Sequence, residues 1–179
     1  MLAVPSRIGV EQYQQMKSEL DEIVGRINGK FSSINRTPIW YFYRSMPFEN
    51  LVDLYNYCEI ALLTPIRDGM NLVAKEFIAS KTDGRGVLIL SEMAGASKEM
   101  SEALIINPND MPQIAANIKK AIEMPYEEQV ERNTILQKRL KRYNVEKWAT
   151  DFLNGMEEVR QNEQLYKGKR LTASTKNRI

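Results

Sequence analysis

Apolar residues recur at Val10, Tyr13, Met16, Leu20, Ile23, Val24 and Ile27, spacings of three and four that predict one face of a helix. Asn28-Gly29 follows as a stop signal. After Pro38 the pattern changes to a continuous apolar and aromatic run, residues 39–43, of strand length. A short helix then carries Phe48, Leu51, Val52 and Tyr55 on one side. Residues 60–64 read as a second strand, closed by Pro65, and Asp68-Gly69 turns into a helix bearing Leu72, Val73, Phe77 and Ile78. Residues 87–90 and 104–106 are two more apolar runs, the first entered through the turn Asp83-Gly84-Arg85-Gly86. From about Met111 the pattern is helical only: one helix to Met124, one from Tyr126 to about Tyr143, and one after Asn144. The last places Trp148, Phe152, Met156 and Val159 on a single stripe. That stripe suits either packing on the chain's own sheet or contact with another domain.

Strands alternate with helices, and the strands are apolar on both faces. This predicts an α/β fold, a Rossmann-like parallel sheet with helices on both faces, ending in several helices. Ligands of such sheets bind beyond the carboxyl ends of the strands, which directs attention to the loops 44–48, 65–71 and 91–97. Residues 1–160 read as one domain. The apolar period fades beyond Gln161, and residues 161–179 read as a basic, linker-like tail.

Composition narrows the chemistry. The 179 residues contain no histidine, which removes the commonest general base, the usual Ser-His and Cys-His pairs and most zinc sites. Cys58 is the single cysteine, so an internal disulfide framework is excluded and a reducing, cytoplasmic setting is expected. Its place at the entry of a strand suits a small core residue. No apolar run reaches the roughly 18 residues of a membrane span. The net charge of +2 comes from the tail: outside Lys167, Lys169, Arg170, Lys176 and Arg178, 20 Lys and Arg face 23 Asp and Glu. Aromatic residues do not interleave with those cations, so nucleic acid is not expected as a partner.

The most informative stretch is Thr64-Pro65-Ile66-Arg67-Asp68-Gly69-Met70-Asn71-Leu72-Val73-Ala74-Lys75-Glu76. A strand ends, a proline stops it, and a glycine leads into a helix where a ligand can approach the backbone without meeting a Cβ. The free N–H groups of Met70, Asn71 and Leu72 would face outward with the positive end of the helix dipole behind them, a setting for phosphate. The carboxylate of Glu76 could accept two hydrogen bonds from a diol such as ribose. Structural readings stand beside these: Asp68 equally suits an N-cap, and Glu76 a solvated helix position.

This string is accompanied by Val4-Pro5-Ser6-Arg7, Gly25-Arg26-Ile27-Asn28-Gly29-Lys30-Phe31, Thr37-Pro38-Ile39, Leu90-Ser91-Glu92-Met93-Ala94-Gly95-Ala96 and Ile106-Asn107-Pro108. Together, over roughly residues 2–160, they resemble the C-terminal half of trehalose-6-phosphate synthases, retaining glycosyltransferases of the two-Rossmann GT-B fold. The resemblance implies transfer of glucose from UDP-glucose to glucose-6-phosphate with retention, without metal or cofactor. It implies that Asp68 hydrogen-bonds the transferred glucose, and that Gly69, Met70, Asn71, Leu72 and Val73 form the loop and amides that hold the diphosphate and sugar. It further implies that Glu76 binds the ribose, that Met46 and Leu51 line the uracil pocket, and that Arg7 reaches the acceptor phosphate. Read from the residues alone, Arg7 is an arginine after a strand end, with a surface role as the default.

The departures shape the expectation. The family's donor half begins earlier, with a strand and loop carrying an arginine and a lysine for the diphosphate, and an N-terminal domain holds most acceptor contacts. Both are expected to be missing here, with Met1 as a truncated start, so no complete catalytic set is present and the fragment alone is expected to be inactive. Many relatives continue into a phosphatase domain, which the basic tail would join. Two readings stay open: the donor-binding half of a synthase, or a non-catalytic nucleotide-sugar-binding or regulatory module. A receiver-like signalling domain would want an acidic cluster at the end of the first strand and a lysine after a late strand, and neither is evident here.

Overall fold

The computed structural model describes residues 1–5 and 10–176, with side chains through Arg160 and at Asn162. The chain divides into two compact units, Met1–Asp53 and Leu54–Ile179. The expected single sheet is divided as well: strand pairing forms one two-stranded and one three-stranded parallel sheet.

In the first unit, β1 (Leu2–Ala3) pairs in parallel with β2 (Phe42–Tyr43). Only the last two residues of the apolar run 39–43 join a ladder, because β1 offers only two partners. Helix α1 (Glu11–Phe31) connects the two strands and runs past the anticipated stop at Asn28-Gly29. Asn28 does not end the helix but clasps the chain beyond it: its Nδ2 donates to the Ile39 carbonyl and its Oδ1 accepts from the Ile39 N–H, both at 2.9 Å. The division between units falls inside α2 (Phe48–Tyr57).

The second unit is built on β3 (Ile60–Leu63), β4 (Val87–Ser91) and β5 (Leu104–Ile106), all parallel, with β4 central. All five residues of β4 are buried. Successive side chains of a strand point to opposite faces. Leu88 and Leu90 accordingly pack with Ala74, Phe77 and Ile78 of α3 (Leu72–Ser80) and Leu136 of α5 (Tyr126–Arg142). Val87 and Ile89 pack on the other face with Ile114 and Ala121 of α4 (Met111–Glu123). The expectation of helices on both faces holds here. Each fully buried leucine, isoleucine, valine or phenylalanine among them contributes about 1.5–3 kcal/mol.

Cys58 is half-buried against the α3-side core, a packing residue as expected. Asn133, 2% exposed, donates to the carbonyls of Gly84 and Gly86 and ties α5 to the turn before β4.

Helix α6 (Val145–Lys176) continues well beyond Gln161, so helical backbone replaces the expected linker over most of the tail. Leu165, Lys167, Lys169, Arg170, Leu171 and Ala173 are strong helix formers, which the loss of an apolar stripe concealed. The stripe itself is uncovered: Trp148, Phe152, Met156 and Val159 are all exposed, with the Trp148 and Phe152 rings stacked on each other at 5.5 Å. Packing of the stripe on the sheet of this unit is therefore not observed. None of the described helices is long and apolar enough to cross a membrane.

Candidate functional site

Parallel pairing brings the carboxyl ends of β3 and β4 to one edge of the sheet, and the loops that leave them are stitched together. Asp68 N–H donates to the Met93 carbonyl (3.4 Å), Gly95 N–H to the Asp68 carbonyl (2.9 Å), and Ala96 N–H to the Met70 carbonyl (2.7 Å). The contact is so close that a Cβ on Gly95 would lie 2.0 Å from the Gly69 carbonyl oxygen. Glycine is required there by space rather than by torsion. At Gly69, in contrast, an added Cβ would meet nothing within 4 Å, which leaves that backbone open to an approaching group.

The turn into α3 is organised by side chains. Asn71 sits in the left-handed region at φ 77°, and its Oδ1 accepts the Ala74 N–H at 2.9 Å, which makes it the N-cap. Asp68 therefore does not cap the helix. Its Oδ2 instead accepts from Asn71 Nδ2 (2.9 Å) and its Oδ1 from the Met70 N–H (3.1 Å). That corrects the expectation for Met70, whose amide is turned inward onto Asp68 rather than held free. The amides of Asn71, Leu72 and Val73 make no hydrogen bond with other described residues. The anion-competent edge is thus shifted one residue along from Met70, Asn71 and Leu72 to Asn71, Leu72 and Val73. Ile66, Leu72 and Val73 are exposed around it, an apolar rim beside open amides.

Glu76 lies one turn further along α3, exposed, with Oε2 accepting a hydrogen bond from the Tyr55 hydroxyl at 2.9 Å. Beside it Lys75 pairs with Glu99 at 2.7 Å, tying α3 to the turn after Gly95. An open, mostly apolar cavity of about 500 Å³ runs along this face of α3, lined by Met70, Leu72, Glu76, Tyr143 and Trp148 among others. Asp68, Gly69, Met70, Asn71, Leu72, Val73 and Glu76 are thus gathered in the second unit. Met46 and Leu51, both half-buried, belong to the first. Arg7 lies outside the described residues. No cluster of His, Cys, Asp and Glu suited to a metal ion occurs among the described residues.

Three contributors were missed in the sequence: Tyr55, Gly95, and Ser91, fully buried at the end of β4 with Oγ accepting the Met93 N–H. Asn71 stands immediately before the first apolar-periodic residue of the helix, a signal that could have marked it as the cap in place of Asp68. Gly95 and Tyr55 act across loops, which no local pattern reports.

Residues 1–158 match the profile of glycosyltransferase family 20. The chain belongs to that family. Within it, the chain is 54% identical over 153 residues to a bifunctional trehalose-6-phosphate synthase/phosphatase of Thermoproteus tenax, covering 86% of this chain and 21% of the relative. It is similar to the UDP-forming α,α-trehalose-phosphate synthase of Burkholderia xenovorans in complex with glucose-6-phosphate, with a TM-score of 0.83 and 37% identity over 87% of this chain and 34% of that one. An E. coli structure bound with UDP-2-fluoro glucose has the same TM-score at 35% identity, over 86% of this chain and 34% of that one. The family 20 match bears out the resemblance read from residues 64–76, and these structures bear out the expected half of a GT-B fold. The chain spans only about a fifth to a third of these relatives.

Proposed function

We propose that this chain is the donor half of an α,α-trehalose-6-phosphate synthase, binding UDP-glucose for retaining transfer to glucose-6-phosphate. The observation that carries the proposal is the loop 68–76: open amides at Asn71, Leu72 and Val73, an organised Asp68 carboxylate and an exposed Glu76, at the carboxyl edge of a parallel sheet. In this reading the amides and Gly69 receive the diphosphate and sugar. Asp68 accepts from the transferred glucose, Glu76 accepts from the ribose, and Met46 and Leu51 contact the uracil. Arg7 takes the acceptor phosphate. Membership of family 20 supports the reading, as do relatives whose structures hold glucose-6-phosphate and UDP-2-fluoro glucose.

Residues 1–160 act in this reading as the donor domain, opposite an N-terminal domain that supplies most acceptor contacts. The segment 161–179 leads toward a phosphatase domain, as the bifunctional relative exemplifies. The site of action is the cytoplasm, consistent with a lone free cysteine. Positioning of donor and acceptor in one closed cleft supplies roughly 7–11 kcal/mol of barrier reduction, so turnover in this reading requires the N-terminal domain that faces the donor site. Calorimetric titration with UDP-glucose tests the assignment. Glu76→Ala should weaken binding by on the order of 1.5–3 kcal/mol per lost hydrogen bond. Equal affinity of variant and parent would remove Glu76 from the site.

A further inference from the structure

Glu76 stands on an exposed helical face, where a glutamate ordinarily samples many rotamers and loses that freedom only on binding. Here it does not stand alone. The Tyr55 hydroxyl donates to Oε2 at 2.9 Å and leaves Oε1, with a second lone pair on Oε2, unoccupied by protein. Tyr55 is itself fixed at two further points. Its ring meets Phe77 edge-on, with centroids 6.5 Å apart and an interplanar angle of 88°. Its carbonyl accepts from Lys81 Nζ at 2.6 Å, and the same ammonium reaches the Asn56 and Cys58 carbonyls at 3.2 and 2.5 Å. Lys81 is 2% exposed, so this clamp on the last turn of α2 is shielded from water.

From this geometry we propose that Tyr55 is a positioning residue, pre-setting the Glu76 carboxylate to receive the vicinal diol of a nucleoside-diphosphate sugar. The proposal rests on the donor reading given above. A carboxylate held by one donor keeps enough lone pairs for two hydroxyls, and its rotamer freedom is spent before the ligand arrives. Partial burial, together with the hydrogen bond to Glu76, raises the Tyr55 pKa above its ordinary value, so the phenol remains a donor through alkaline pH. A simple staple between α2 and α3 would use the same bond but would not care what the ligand carries.

The full chain is titrated by NMR with UDP and with 2′,3′-dideoxy-UDP, which lacks the diol. The parent should prefer UDP. Tyr55→Phe should weaken UDP about 10-fold while leaving dideoxy-UDP unchanged, and added to Glu76→Ala it should have no further effect. Equal losses for both nucleotides, or no loss for UDP, would overturn positioning. If Glu76→Ala abolishes the preference but Tyr55→Phe preserves it, the donor reading stands and the role of Tyr55 falls. A parent chain that binds neither nucleotide, or shows no preference, or keeps its preference in Glu76→Ala, overturns both.

Discussion

The two units of this chain share an apolar pattern but not its consequence. From Leu54 on, the pattern closes into a core: Phe77, Ile78, Ile89, Leu90 and Ile106 are 1% exposed or less. In Met1–Asp53, Val24 is the only hydrophobic residue among those described that is buried, at 7%, while Met16, Ile23 and Trp40 of the same unit stay exposed. The second unit has a five-residue central strand flanked by partners on both edges, whereas the ladder of the first is two residues long. Periodicity therefore reports which face must be covered, not what covers it. The loop 68–76, proposed above to hold the donor, belongs to the unit that completes its own core, as a site needing fixed geometry requires.

The difference between the units is probed most strongly at the core. Ile89→Ala should cost about 2–5 kcal/mol, measured by denaturant unfolding, since Ile89 of β4 is fully buried in the core that the sheet forms with α4. A cost near zero would mean that the second unit is not self-sufficient. Next comes the stitch between loops. Gly95→Ala forces a Cβ against the Gly69 carbonyl and should cost about 1–3 kcal/mol, with loss of UDP-glucose binding. Retained affinity would show that the stitching of 68–70 to 93–96 does not shape the site. The smallest effects are expected where apolar residues remain uncovered. Ile23→Ala and Phe152→Ser should each change stability by no more than about 0.5 kcal/mol, and a larger loss at either would reveal a contact that the exposed surfaces do not display.

Much of this was legible beforehand, for physical reasons. The strands 87–90 and 104–106 were clear because continuous apolar runs of strand length demand burial on both faces. The helix after Asp68-Gly69 was clear because a turn signal opens a run bearing Leu72, Val73, Phe77 and Ile78, although only Phe77 and Ile78 of these face the core. The end of α1 was misjudged because Asn28 spends its side chain on Ile39, a contact eleven residues away that competes with capping. The run 39–43 was overextended because strand length depends on the partner, and β1 supplies two residues. At the site, residue types located the loop, but the allocation of its hydrogen bonds depended on Asn71 adopting a left-handed torsion. That torsion lets Asn71 rather than Asp68 cap the helix, and Asp68 then draws in the Met70 amide.

In the proposed function the start of α3 receives the donor through amides the fold leaves open. Titrating the ¹⁵N-labelled chain with UDP-glucose, and recording amide shifts residue by residue, tests it most directly. The largest saturable shifts should fall on Asn71, Leu72 and Val73, with a smaller one at Met70, and should vanish in Asp68→Ala. Saturable shifts elsewhere, with Asn71, Leu72 and Val73 unmoved, would contradict the account.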